Sequence, residues 1–225
     1  MAAGFVPAGV ECGHLFGATP KRCIAGLGDP YVEVNWSRYF GTPRPSRYPG
    51  AFPIPEGLAV SVGFGMVIPI GKYNVNDATL QGLTIGNNLW DFSPIVGFTY
   101  TTGPIIAEGT EITGRLFWNN YLTNPATQYA TGTLLSLDFA VTEHIGRFQA
   151  GLTGLYASQF GDDRQFGVPV APDGRRIEIL ELGPVVAYDL PEYGASVKVK
   201  AIQSVFHANT VKAWGVAVGW IKKFN

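Results

Sequence analysis

VKAWGVAVGWIKKF, residues Val211 to Phe224, puts Trp214, Val216, Val218, Trp220 and Phe224 on one parity and Ala213, Gly215, Ala217 and Gly219 on the other. Successive side chains of a β-strand point to opposite faces, so this strand has one bulky apolar wall and one nearly bare wall. An ordinary soluble sheet, with a packed core and a charged exterior, has the reverse arrangement. The fold therefore turns on which solvent the bulky wall faces.

The same parity recurs upstream. Val32, Val34, Trp36 and Phe40 oppose Glu33, Asn35 and Ser37; Leu58, Val60, Val62, Phe64, Met66 and Ile68 oppose Ala59, Ser61, Gly63 and Gly65. Trp90, Phe92, Val96, Phe98 and Tyr100 face away from Asp91, Ser93, Gly97 and Thr99, and Ile112, Leu116 and Trp118 from Glu111, Thr113, Arg115 and Asn119. Leu135, Leu137, Phe139 and Val141, then Phe148, Leu152 and Tyr156, then Leu180, Leu182, Val186 and Tyr188, then Val197 and Val199 continue the bulky wall. Turn signals cut the chain into about nine such runs, with no helical pattern of any length. Runs of ten to fourteen residues are long against a soluble mode of about five or six.

Composition narrows the solvent. Only 15% of the 225 residues are charged, below the roughly 25% of a soluble domain. A net charge of −1 and a pI near 6.3 give no electrostatic case for nucleic acid. No apolar run approaches the ~20 residues of a transmembrane helix, but a barrel strand spans with about ten. Met1 to Val10 lacks a basic start and is interrupted by Pro7, so it does not read as a signal peptide; a removed leader or a truncated N-terminus is expected.

Connection lengths alternate. Counting from the C-terminus, Phe160 to Arg175, Leu122 to Ala130 and Pro69 to Asn88 are long, whereas DLPEYG, TEHIG and TTGP are short. Short periplasmic turns and longer external loops are the habit of outer-membrane barrels, with HANT the one short external loop and Gly41 to Gly57 an unusually long periplasmic one. Trp90, Trp118, Tyr156 and Trp214 then lie near external ends, and Tyr100, Tyr188, Tyr193, Trp220 and Phe224 near periplasmic ends. Ten residues separate Trp90 from Tyr100, about 33 Å of strand and about 25 Å of height at a tilt near 40°, the thickness of the apolar band. Two aromatic girdles around a lipid-facing wall follow. The fold class is all-β: an antiparallel transmembrane β-barrel, about nine strands of a twelve-stranded parent whose N-terminal strands are missing, since bacterial barrels have even counts. Residues 31–225 form the barrel domain; residues 1–30 are expected to be an irregular loop segment.

That segment holds Cys12 and Cys23 in ECGHLFGATPKRC, where a disulfide is expected and two unpaired loop thiols are the other reading. His14, His144 and His207 fall in expected loops without zinc spacing, so no metal or cofactor is expected. Asp162, Asp163 and Asp173 match no calcium loop and read as turn formers rather than ligands. No G-x-S-x-G, Walker loop or H-E-x-x-H is present, and nothing pairs Glu56 with Glu108 as acid and base, so no enzyme is expected.

Several blocks in consistent order carry a family resemblance: PIGKYN, IGNNLWDFSPIVGFTYTT, NPATQYATGTLLSLDFAV, GLTGLYASQFGDD and RRIEILELGPVVAYDL. Through them, from about Gly26 to Phe224, the chain resembles the outer-membrane family named for the putative meta-cleavage pathway of phenol degradation. The resemblance implies a transporter-like β-barrel of Gram-negative bacteria that admits aromatic or other hydrophobic compounds.

With the bulky wall in lipid, the charges on the bare wall point into the lumen: Asp91, Glu111, Arg115, Asp138, Arg147, Glu181, Lys198 and Lys200. Glu181 is expected to pair with Lys198 or Lys200 across a short turn. Two readings stand, a polar constriction that sets selectivity and a salt-bridge lattice that fills a narrow barrel. They correspond to a passive outer-membrane channel and to an occluded structural or adhesion barrel. A lipid hydrolase using His144 or His207 is a third reading supported only by residue type. The expected partners are the bilayer, lipopolysaccharide, the barrel-assembly machinery and a small permeant.

Overall fold

A computed structural model describes residues 2–5, 7–13, 22–76, 84–210 and 212–222. Its strands are β1 (Ala2–Phe5), β2 (Ala8–Gly13), β3 (Arg22–Leu27), β4 (Tyr31–Gly41), β5 (Gly57–Val67), β6 (Asp91–Thr101), β7 (Thr110–Tyr121), β8 (Tyr129–Ala130), β9 (Leu134–Ile145), β10 (Phe148–Gln159), β11 (Arg164–Gln165), β12 (Val168–Pro169), β13 (Glu178–Leu190), β14 (Ala195–Ala208) and β15 (Trp214–Lys222). A ten-stranded antiparallel sheet, in the order β1-β4-β5-β6-β7-β9-β10-β13-β14-β15, curls into an open half-barrel. Strands β12, β11 and β8 make a small sheet among the longer connections, and β2 pairs with β3.

All nine spanning strands follow the sequence reading, and the short β1, paired with β4 from Ala2↔Val34 to Phe5↔Tyr31, adds a tenth to the sheet. Residues 1–30 are thus not an irregular loop: β1, β2 and β3 lie within them. Short, glycine-rich strands without a bulky wall carry too little alternation to be read as strands. Cys12 stands opposite Cys23 in the β2–β3 register, and Cys23 is disulfide-bonded.

Register explains why the walls stay sorted. On the convex face Phe148, Tyr188, Val197 and Trp220 line up across β10, β13, β14 and β15, with the Phe148 and Tyr188 rings 4.8 Å apart. A one-residue slip in any of these strands would carry its whole bulky set to the other side. The β9–β10 hairpin fixes register with a two-residue turn, Gly146-Arg147, between the paired Ile145 and Phe148; Gly146 takes φ +63°, which a side chain disfavours.

Burial is inverted relative to a water-soluble protein. Val34, Trp36, Val96, Trp118, Leu152, Val216, Val218 and Trp220 are more than half exposed, whereas Glu33, Asp91, Ser93, Asn119, Thr142, Glu181 and Ser204 are buried. Apolar burial is worth roughly 25 cal/mol per Å², so water would penalise that convex wall heavily; hydrocarbon would not. Of the girdle residues, Trp90, Tyr100, Trp118, Tyr156, Tyr193, Trp214 and Trp220 are exposed and Tyr188 is half-buried under Phe148. Phe224 lies outside the described residues. Among the described residues, no helix is long and apolar enough to cross a membrane.

Candidate functional site

The concave face gathers the polar side chains of the sheet. Arg115 on β7 reaches past β5 and β6 to Glu33 on β4, with its Nη2 3.0 Å from both carboxylate oxygens. Tyr31 Oη and Asn35 Nδ2 each donate to the same carboxylate at 2.7 Å. A carboxylate buried with a guanidinium and two further donors has the partners that offset its desolvation. Glycines make the span feasible: a Cβ on Gly97 would lie 2.7 Å from Ser61 Oγ and 3.2 Å from the Arg115 Cγ. The bare wall is the space these long side chains occupy.

Next along the curve, Asp138 stands directly opposite Arg115 in the β7–β9 register. Arg115, Asp138, Lys198, Lys200, Thr113 and Thr153 line one cavity of about 360 Å³ inside the curl, three cations to one carboxylate. Nearer the short-turn rim, Glu111 accepts from Gln149 Nε2 at 2.9 Å and lies 3.2 Å from His144 Nε2. Toward the other rim, Ser93 Oγ donates to Asn119 (2.9 Å), whose Nδ2 donates to Ser136 Oγ (2.9 Å).

Five of the eight residues expected in the lumen, Glu111, Arg115, Asp138, Lys198 and Lys200, thus share this surface. Asp91, also on the concave parity, is buried at the start of β6, and its Oδ1 has no hydrogen-bond partner among the described residues. Two expectations need correcting. Glu181 does not meet Lys198 or Lys200: counted out from the Leu190↔Ala195 pair beside the turn, the regular β13–β14 register sets Glu181 opposite Ser204, which donates to it at 3.3 Å, while Lys200 faces Val185 four residues, about 13 Å, along the strand. Arg147 is not in the lumen but in the β9–β10 turn, where its Nη1 lies 3.4 Å from Glu192 Oε2 on the next turn. Sequence reading also missed Glu33 as a site residue. It carried the right parity and stands opposite Gly65, but only the curl of the sheet brings Arg115 to it.

The rims are built by carboxylate hubs. At the short-turn rim Glu108 accepts from Ser46 Oγ (2.8 Å), Arg47 N (2.6 Å) and Gly146 N (2.9 Å), while Arg44 donates to the Glu108 carbonyl and to Glu56 (3.1 Å). Burial opposes ionisation of Glu108, but these donors and the nearby Arg44 outweigh it and hold the carboxyl below the usual carboxylate range. The connection 42–56 is thereby drawn inward. Its Ile54 is 1% exposed, and Phe52 to Pro55 share a cavity with Gln149, Ser196 and Ile221 on strands across the mouth.

At the long-connection rim Asp163 accepts from Tyr129 Oη, from Gln159 Nε2 (2.6 Å) and from Gly132 N (3.1 Å). Burial and Asp163 push the Tyr129 phenol up, so it stays a neutral donor. Asp162 is bonded instead to Arg176 (2.7 Å) and Asp173 to the Arg175 N–H (3.3 Å), so the three aspartates do not converge. No group of three metal-ligating side chains occurs among the described residues. His144 and His207 are not in loops but on β9 and β14, at opposite rims. His14 lies outside the described residues.

Comparisons with known proteins agree with this geometry. A family model described as "Putative MetA-pathway of phenol degradation" matches residues 8–218. A solved outer membrane channel from Pseudomonas putida F1 has a similar fold, with a TM-score of 0.63 at 10% sequence identity. The superposition covers 88% of this chain and 66% of that one, so the chain spans about two thirds of the length of the channel it matches. Among curated proteins, none matches the sequence closely.

Proposed function

The chain belongs to the family described as the "Putative MetA-pathway of phenol degradation", and from that premise we propose that it forms a passive channel of the bacterial outer membrane for small hydrophobic or aromatic compounds. The observation that carries this reading is the inverted burial: bulky side chains exposed on the convex wall, paired charges on the concave one, and a cavity between them. The long-connection rim is then external and the short-turn rim periplasmic. The partners are the bilayer with its lipopolysaccharide leaflet and, during insertion, the barrel-assembly machinery.

With Arg115 held by Glu33, Lys198 and Lys200 still outweigh Asp138 in the cavity, which favours anions and electron-rich solutes over cations. The intact protein in planar bilayers should conduct, with a preference for anions that is lost or reversed by the Lys198→Glu, Lys200→Glu double substitution. Absence of any conductance would sink the channel reading.

A second reading, an occluded structural barrel, draws support from the Arg115–Glu33 bond across the concavity and from the inward connection 42–56. It expects no conductance in the intact protein and no loss of solute uptake on deletion of the gene.

A further inference from the structure

A hollow at the long-connection rim has a volume of about 640 Å³, within the range of small-molecule sites. Three tyrosines, Tyr73, Tyr121 and Tyr129, contribute to its lining, with Asn124 and Arg175 among the polar groups. Among the described residues that line it, Arg175 is the one charged residue and none is a carboxylate.

Its walls are tied together independently of any ligand. Asn124 Nδ2 donates to the Asn87 carbonyl at 3.0 Å, Asn124 Oδ1 accepts from Asn88 at 3.2 Å, and the Asn124 N–H donates to the Tyr129 carbonyl at 2.8 Å. The Tyr129 hydroxyl is anchored on Asp163, which fixes the ring and leaves its face as what it offers. Pairing of β8 with β11 holds Tyr129 opposite Gln165. Of the two adjacent guanidiniums, Arg176 is neutralised by Asp162 at 2.7 Å, whereas Arg175 is exposed and borders the hollow.

We propose that this hollow binds a small aromatic carboxylate, its ring among the three tyrosines and its carboxylate on Arg175. Aromatic rings favour offset or edge-to-face neighbours, and a guanidinium matches a carboxylate with two parallel hydrogen bonds. A carboxylate facing the hollow would repel such a solute; none occurs among the described lining residues, and the Asp163 carboxylate behind Tyr129 is taken up by Tyr129 Oη, Gln159 Nε2 and Gly132 N. The proposal deepens the channel reading by naming a solute class and an external site, and it stands or falls separately from conduction.

The test is equilibrium binding of benzoate to the intact protein in detergent, with cyclohexanecarboxylate and benzyl alcohol as comparators and heat-modifiable gel mobility as the check on folding. Benzoate should bind more tightly than either comparator. Arg175→Gln should weaken benzoate by about tenfold or more, the loss of a charge-assisted contact, and leave benzyl alcohol unchanged. Arg176→Gln should leave benzoate unchanged. Tyr73→Leu should remove the preference for benzoate over cyclohexanecarboxylate. Failure of benzoate to bind, equal effects of the two arginine substitutions, or equal affinity for the ring and its saturated analogue would overturn the site. Benzoate binding without conductance in bilayers would uphold this site and sink the channel; conductance without benzoate binding would do the opposite.

Discussion

Val218 and Gly215 sit on the same strand and face different solvents. Val218 is 72% exposed on the convex wall, and a Cβ on Gly215 would meet nothing within 4 Å. Val218→Arg should therefore destabilise the protein by about 2–4 kcal/mol near the midplane, and Gly215→Ser only mildly, in denaturant unfolding from lipid vesicles. Equal effects would mean the walls are assigned to the wrong solvents. Glu108 makes a pH prediction. A carboxyl whose folded pKa is depressed contributes stability that is complete above its unfolded value, about 4.3, and is lost as pH falls through the lower folded value. The thermal midpoint should fall as pH is lowered below about 4, and with a shallower slope in Glu108→Gln. Parity made Asp138, Lys198 and Lys200 legible as concave residues, because alternation is local. Partners were not legible: Glu33 and Arg115 are 82 positions apart, and the point where β13 and β14 begin to pair, Leu190 with Ala195, sets Glu181 opposite Ser204 rather than a lysine.

Strands β4 to β7, β9, β10 and β13 to β15 were readable from alternation alone, because each must sort its side chains between two solvents over at least nine residues. Strands β8, β11 and β12 are two residues each, and β2–β3 lacks a bulky wall, so none carries a periodic signal. The connection 42–56 was visible only as an oddity of length. Its fold depends on the Arg44↔Ile54 bridge and on Glu108 from another turn, and neither leaves a local pattern. Lying across the short-turn mouth, it should restrict flow. Replacing residues 43–55 with a short Gly-Ser turn should raise single-channel conductance several-fold if the proposed pore is otherwise open, measured in planar bilayers. Unchanged conductance would place the narrowest point elsewhere, at the Arg115–Glu33 bond.

Across the half-barrel, one physical inversion accounts for composition, strand length, girdles and buried charge together: the exterior solvent is hydrocarbon and the interior is polar. A soluble sandwich would require the exposed Trp36, Trp118, Trp214 and Trp220 to stand in water, with Glu33 and Glu181 shut inside. The decisive experiment follows the alternation of β14 and β15 by single-cysteine scanning from Val197 to Lys200 and from Gly215 to Val218, in protein whose native cysteine pair is kept oxidised. Each variant would be tested in lipid vesicles twice: with a fluorophore attached to the introduced thiol before reconstitution, against a membrane-soluble quencher, and with the thiol left free, against a water-soluble maleimide. Positions 197, 199, 216 and 218 should respond to the quencher and resist the maleimide, and positions 198, 200, 215 and 217 should do the reverse. Uniform reactivity toward the maleimide, or the opposite alternation, would contradict a convex wall set in lipid.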